Sequence, residues 1–188
     1  MIIGLAGYAR SGKDTAADVL VEKHGFVKYS FADPMREALK RLDPHIQVND
    51  IAHLPLSQAL RIYSWEQLKV ESPDIRGLLQ RMGTEVGRSM FGTDFWVDYA
   101  VNSIPEGTNV VFSDVRFQNE ANKILALGGR VWRIEREGAE AANSHISEHD
   151  LDEFPFELVI QNDFSLEQLS SNIDTALSFD LASILRNL

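Results

Sequence analysis

Ile2-Ile3-Gly4-Leu5-Ala6-Gly7-Tyr8-Ala9-Arg10-Ser11-Gly12-Lys13-Asp14-Thr15 is the stretch on which the reading of this chain turns. An apolar run enters it, Gly7 and Gly12 bracket a loop, Lys13 follows, and an amphipathic helix begins. Gly-x-x-x-x-Gly-Lys between a strand and a helix is the pattern of a phosphate-binding loop. Glycines let the backbone curl until successive N–H groups point inward as a nest for anionic oxygens. The helix start adds the positive end of its dipole, and Lys13 supplies a mobile point charge for β- and γ-phosphates. Gly7, Ala9, Arg10, Ser11, Gly12, Lys13, Asp14 and Thr15 are therefore the residues expected around a bound ATP. The plainer alternative is a glycine-rich turn between a core strand and a surface helix.

One position departs from the usual rule. Ser or Thr ordinarily follows the lysine, where its hydroxyl holds Mg²⁺; here the residue is Asp14, and Thr15 comes one later. The spacing Gly-Lys-x-Thr resembles adenylate-kinase-like nucleoside monophosphate kinases, which carry Gly-Lys-Gly-Thr. In that pattern the threonine serves a nucleotide phosphate and the metal is held largely through water. The departure points to a small-molecule kinase over a GTPase switch or a motor ATPase.

Composition sets the surrounding limits. A chain of 188 residues builds one well-buried core and is too short for two full domains with linkers. Hydrophobic content of 44% with 24% charged residues is that of a globular protein and not of a disordered one. The absence of cysteine excludes disulfides, thiolate chemistry and cysteine-based zinc sites, and fits a reducing cytoplasm. No apolar run approaches membrane-spanning length, and the first residues read as a strand rather than a signal peptide. A net charge of −10 without a basic block argues against a nucleic-acid polymer as partner. The expected partners are small-molecule nucleotides, with no membrane, and a homodimer is the oligomer to look for.

Outward from the loop, strands and helices alternate. Residues 2–6 read as a buried strand and 12–23 as a helix with Ala16, Val19 and Leu20 on its apolar face. Residues 27–31 alternate as a second strand. Asp33-Pro34 opens a helix, Asp as cap and Pro at the first helical position, with a stripe of Met35, Ala38, Leu39 and Leu42. Residues 43–72 lose periodicity, apart from a helix expected over 58–68. Ser72-Pro73 caps the next helix, whose apolar face is Ile75, Leu78, Leu79, Met82, Val86 and Met90, with Arg81, Thr84 and Arg88 opposite. Residues 93–104 read as a short helix with Phe95, Trp96 and Tyr99 packed. An apolar strand over 109–114 ends in Asp114, a helix follows over 117–127, and Gly128-Gly129 stops it. Strands over 130–135 and 156–161 flank a polar stretch, 137–152, read as a lid. Ser165 to Gln168 is a capping box opening the last helix, with Leu166, Leu169, Ile173 and Leu177 inward.

This order predicts an α/β fold: a parallel five-stranded sheet with helices on both faces, a helical acceptor-binding region at about 33–104 and the lid. The core is expected over 1–32, 105–136 and 153–188. Ligands of such sheets bind beyond the carboxyl ends of the strands, where Asp33, Asp114, Arg116 and Arg136 gather with the loop. Asp114 stands where a Walker-B acid holds Mg²⁺; the alternative is a helix cap. Asp14 is the second carboxylate expected near the metal. Arg116 has the planar fork that matches a phosphate, or pairs with Glu120. Arg81, Thr84 and Arg88, with Arg36 on the preceding helix, are candidates for the substrate phosphate. Arg133 and Arg136 flank the lid entrance; Arg136 is the catalytic arginine expected from the lid, and the plainer alternative for Arg133 is a strand-edge residue paired with a carboxylate. Asp33 sits near the acceptor, Glu148 is a hinge or lid contact, and Asn162 faces the nucleobase of the donor. His145 and His149 are four apart but lie in a loop, and Mg²⁺ already accounts for the chemistry.

Four blocks then carry a closer resemblance. They are Gly7 to Asp18, Gln80-Arg81-Met82-Gly83-Thr84-Glu85-Val86-Gly87-Arg88, Asp114-Val115-Arg116-Phe117-Gln118-Asn119-Glu120 and His145-Ile146-Ser147-Glu148. In this order, over most of the chain, they are similar to the phage-type deoxynucleoside monophosphate kinases. The resemblance implies transfer of the ATP γ-phosphate to a deoxynucleoside monophosphate, on a P-loop core. Two other readings stay open at this point: a kinase of another small metabolite, such as dephospho-coenzyme A or phosphomevalonate, and an ATP-binding regulator without turnover.

Overall fold

Ile3, Leu5 and all of Val110–Phe112 are buried, as continuous apolar strands are when helices cover both faces of a sheet. The structure, a computed structural model, describes residues 1–49, 52–140 and 149–186. The chain divides into two compact units, Met1–Ser30 with Ile104–Leu188, and Phe31–Ser103. Among the described residues no helix is long and apolar enough to cross a membrane.

The first unit holds a parallel sheet built from β1 (Ile2–Ala6), β2 (Val27–Tyr29), β5 (Val110–Phe112), β6 (Arg130–Glu135) and β7 (Leu158–Gln161). The order is β2-β5-β1-β6-β7, every pair parallel. Register sets Gly4 beside Phe112, Ala6 beside Arg133 and Glu135 beside Gln161, so the carboxyl ends of β1, β6 and β7 step along one rim. Chain order reverses on either side of β1, and such a switch point opens a crevice at the strand ends. Helices α1 (Lys13–His24), α7 (Gln118–Ala126) and α8 (Leu166–Arg186) complete the unit. Ala16, Ala17 and Leu20 of α1 and Leu169, Ile173 and Leu177 of α8 enter one core with Trp132. The buried Trp132 indole donates to Asp180 Oδ2 at 2.8 Å, which ties α8 to β6. Ser165 Oγ accepts from the Gln168 amide at 3.2 Å. Leu166 is exposed rather than inward: at the first helical position its Cβ tilts back past the helix start.

The second unit begins with α2 (Asp33–Leu42), whose cap residue is Ala32 and not Asp33. Leu39 is buried, but Leu42, in the last turn, is exposed. The stretch without legible periodicity folds as a hairpin of β3 (His45–Val48) and β4 (Ala52–Pro55), followed by the short α3 (Leu56–Ala59) and α4 (Trp65–Glu71). Ile46 and Val48 alternate inward from the hairpin onto Leu39, Leu56, Leu68 and Ile75. Ser64 and Gln67 form a capping box at α4, and Ser72 Oγ accepts from Asp74 N at the start of α5 (Pro73–Gln80).

At Arg81 the helix widens. Arg81–Phe91 is π-helical, and the Ser89 hydroxyl donates to the carbonyl of Thr84, five residues back. A π-helix bonds i to i+5 and is usually a single-turn bulge at a functional position; this one runs 11 residues. The wider winding breaks the expected apolar row, and Met90 is exposed. Helix α6 (Phe95–Asn102) buries Val97 and Ala100, while Tyr99, expected to pack, is exposed. The Phe95 ring lies between Phe91, at 4.9 Å, and Trp96, at 4.8 Å.

Candidate active site

The loop after β1 adopts a conformation that few residues permit. Gly7 and Gly12 have φ of +137° and +102°, and Arg10 between them takes +66°. Space is also short: a Cβ at Gly7 would run into the Ile134 carbonyl, and one at Gly12 into the Asn162 amide. Ser11 N closes a turn on Tyr8 O at 3.2 Å. Helix α1 starts at Lys13 with no side-chain cap, leaving its first amides to another acceptor. The Lys13 ammonium donates to the carbonyls of Gly7, at 2.8 Å, and Tyr8, at 2.7 Å, so the charge rests over the loop that precedes it. The Ser11 hydroxyl is buried and has no hydrogen-bond partner among the described residues.

Asn162 was expected at the donor base. Instead its side chain is buried, and Nδ2 donates to Ser11 O at 2.8 Å. The amide braces the phosphate loop from beneath, because β7 delivers it directly under Gly12. A cavity of about 420 Å³ opens beside it, lined by Tyr8, Ser11, Glu135, Arg136, Gln161 and Asp163 among others. Arg136, the first residue after β6, is exposed on that wall. Asp163 Oδ1 accepts from the Glu137 amide at 2.6 Å, which joins the ends of β6 and β7.

Asp114 follows β5 by two residues and is half-buried. The Ser30 hydroxyl, at the end of the neighbouring β2, donates to its Oδ2 at 2.5 Å. The start of α7 is served by Glu120, a buried carboxylate that accepts from the amides of Arg116, at 2.8 Å, and Phe117, at 3.1 Å. Glu120 therefore serves the Arg116 backbone, and the Arg116 side chain lies exposed beside a small cleft with Gly7, Tyr8, Arg133 and Asp152.

The structure gives three groups of the expected residues local surroundings that the pattern did not show. Asp14 was read as a metal ligand, but its Oδ1 pairs with Lys28 Nζ at 3.0 Å and its side chain is 81% exposed. It stands on the outer face of the first turn of α1, where β2 supplies a counter-charge. Burial disfavours the Lys28 ammonium, but Asp14 and Asp18 outweigh it and raise its pKa. Asp33 and Arg36, expected near the acceptor, pair with each other at 3.2 Å, and Arg36 also approaches Glu66 at 3.6 Å. Arg81, Thr84 and Arg88 were chosen at α-helical spacing, and on a π-helix that spacing no longer forms one row. Arg81 and Thr84 are exposed and Arg88 is half-buried. Glu148 and His145 lie outside the described residues.

Sequence reasoning missed a group around Tyr8. Its hydroxyl donates to Asp152 Oδ1 at 2.7 Å, and the Arg133 guanidinium lies 5.3 Å from its ring centre. Arg133 also pairs with Glu135 at 2.8 Å, the plainer of its two readings. Nothing in the local pattern linked residues 8 and 152.

A phosphate loop between β1 and α1, with an acid beyond an adjacent strand end of a five-stranded parallel sheet, defines a P-loop nucleotide-binding protein of α/β class. The family model described as deoxynucleotide monophosphate kinase matches residues 1–58 and 50–173. The chain belongs to that family. It is 33% identical to a provisionally named deoxynucleotide monophosphate kinase of Acanthamoeba polyphaga mimivirus, over 92% of this chain and 94% of the relative. The deoxynucleotide monophosphate kinases of Escherichia phage RB69 and Enterobacteria phage T4 are 26% and 25% identical, each over 94% of this chain and over 99% and 98% of their own lengths.

Proposed function

We propose that the protein transfers the γ-phosphate of ATP to a deoxynucleoside monophosphate, giving the diphosphate and ADP. The observation that carries this reading is Lys13 held over a glycine-bracketed loop at the switch point of the sheet, in a chain of this family. The amides of the loop and of the first turn of α1 cradle the β- and γ-phosphates, and Lys13 leaves its carbonyl rests to neutralise them. The donor nucleoside occupies the cavity along Glu135, Arg136, Gln161 and Asp163.

Mg²⁺ suits the residues present. It prefers oxygen ligands and keeps several waters, so one or two carboxylates with substrate phosphates are enough to hold it. Asp114, oriented by Ser30, is such a carboxylate. When bound, the metal neutralises charge developing on the phosphate oxygens. Arg116 binds the acceptor phosphate, with Arg88, Arg81 and Thr84 as further acceptor contacts, and Arg136 offers positive charge to the transferring group. The acceptor is already an anionic phosphate, so no strong general base is needed. Catalysis then lies in positioning and electrostatics.

The test is an acceptor panel. ADP formation is followed with ATP and each deoxy- and ribonucleoside monophosphate, and with dephospho-coenzyme A and phosphomevalonate. The expected result is turnover with at least one deoxynucleoside monophosphate and none with the other metabolites. ATP binding without turnover on any acceptor would replace the kinase with a regulator.

A further inference from the structure

Tyr8 hydrogen-bonds both to Lys13 and to the turn at 149–152. Its backbone carbonyl accepts from the Lys13 ammonium at 2.7 Å, and its hydroxyl donates to Asp152 at 2.7 Å. We propose that Tyr8 and Asp152 form a positioning pair for Lys13: the carboxylate fixes the phenol, and the phenol fixes the carbonyl on which the ammonium rests. The proposal rests on the kinase reading and gives two residues that border the site a role in holding Lys13.

The anchor is built for the task. Asp152 Oδ2 pairs with His149 Nδ1 at 2.9 Å, and Arg133 donates to the Leu151 carbonyl at 3.3 Å while covering the Tyr8 ring. The same guanidinium lies 5.4 Å from the Phe156 ring centre. Asp150 accepts from the Gln118 amide at 2.7 Å, and its carbonyl accepts from the Gln118 side chain at 2.9 Å, which fastens the turn to the start of α7. The turn is thus fixed to α7 and β6 before it reaches the loop. Burial raises the pKa of Asp152, but hydrogen bonds from Tyr8 and His149 with the charge of Arg133 outweigh it and hold the carboxyl below its usual range. The bond to Asp152, then burial, pushes the Tyr8 phenol up, so the phenol keeps the proton it donates. A hydrogen bond to an ionised acceptor is about twice as strong as a neutral one.

Gly7 and Tyr8 supply the two carbonyls under Lys13, and they are held differently. Gly7 is wedged against the Ile134 backbone, where no side chain fits. Tyr8 accepts a turn bond from Ser11 and is otherwise steadied through its side chain. Releasing the phenol should let the Tyr8 carbonyl, and with it the resting place of Lys13, wander. Phosphoryl transfer depends steeply on where that charge sits.

The experiment compares Tyr8→Phe, Asp152→Ala, Asp152→Asn and the Tyr8→Phe/Asp152→Ala double variant in the full chain. Tyr8→Phe and Asp152→Ala should each lower kcat about 5- to 30-fold with ATP Kd and acceptor KM within about 2-fold, the loss expected of one charge-assisted hydrogen bond acting through position. The double variant should be no worse than the worse single one, because the pair acts as a unit. Asp152→Asn, whose side-chain carbonyl still accepts, should recover much of the loss. Labelling of Lys13 by an amine-reactive reagent, read by mass spectrometry without turnover, should quicken severalfold in Tyr8→Phe and Asp152→Ala. Multiplying losses in the double variant, or unchanged Lys13 labelling in a folded Tyr8→Phe protein, overturns the pair. A wild-type protein that turns over no monophosphate removes the kinase reading instead, and the labelling result still decides the pair.

Discussion

The two units differ in what they would offer the nucleotides of the proposed reaction. In the first, it is chiefly backbone: Gly7, Arg10 and Gly12 hold left-handed conformations, the amides at the start of α1 have no side-chain cap, and Lys13 lies on loop carbonyls. In the second, the proposed acceptor contacts are side chains: Arg81, Thr84 and Arg88 lie on a helix that bonds i to i+5. A backbone site follows from a short local pattern, since glycine spacing and a strand–helix junction already dictate it. A side-chain site depends on the winding of the element that bears it. Changing the winding rearranges the residues without changing the sequence spacing.

The largest effect should come from the first unit. Lys13→Met keeps the length of the side chain and removes its charge. Loss of a charge-assisted contact from a dried site is worth roughly 2–4 kcal/mol, so kcat/KM should fall on the order of 30- to 1000-fold. Gly7, Arg10 and Gly12 set the course of the loop's backbone, so the thermal midpoint should barely move. Steady-state kinetics and a melting curve on one preparation check both halves. Wild-type turnover would remove Lys13 from the chemistry, and a collapsed fold would mean the ammonium was holding the loop together.

A smaller effect should come from the second unit, and it tests the winding directly. On an α-helix Arg81 and Arg88 would stand in one row and contribute alike. On the π-helical segment they differ, Arg88 half-buried and Arg81 exposed. A screened charge contributes less than a partly desolvated one. Arg88→Ala should raise the acceptor KM about 10- to 30-fold with ATP KM unchanged, and Arg81→Ala by no more than about 3-fold. Equal losses would restore the α-helical row. A change in ATP KM would place the segment with the donor.

The same contrast explains what could be read from residues alone. The order of strands and helices around the sheet was legible, because buried parallel strands are continuous apolar runs and α1, α7 and α8 have glycine or serine punctuation. The phosphate loop was legible for the reason already given. The hairpin of β3 and β4 was not: its two strands are four residues each, and only Ile46 and Val48 show the alternation. The π-helical winding was not, because the apolar residues over 75–90 also satisfy an α-helical period. Asn162 could be placed at the strand end but not oriented, since an amide serves a backbone carbonyl as well as a nucleobase. Tyr8 and Asp152 lie 144 positions apart, and single-sequence patterns carry no such pairing.

The smallest effect should be that of Asp14→Ser, and it separates the loop's backbone from its side chains. The substitution restores the hydroxyl residue that ordinarily follows the lysine. Were Asp14 a metal ligand, the apparent Mg²⁺ requirement would shift. Its carboxylate is instead committed to Lys28, at the surface, and Lys28 keeps Asp18 at 3.0 Å when Asp14 is lost. An exposed ion pair is worth about 0–1 kcal/mol, and one with a second acceptor at hand should lie at the low end. Lys28 is the base whose pKa is raised, so whatever stability the pair gives is present below the ordinary lysine pKa and lost only as pH rises above it. Between pH 6 and 9 the stability profile of Asp14→Ser should therefore run parallel to wild type, with kcat within about 2-fold and the same Mg²⁺ midpoint. Asp114→Asn is the matched control: it keeps an acceptor for Ser30 but loses the charge, and its Mg²⁺ midpoint should rise about tenfold or more. A shifted midpoint in Asp14→Ser with an unshifted one in Asp114→Asn would exchange the two carboxylates' roles and return a side chain of the loop to the metal.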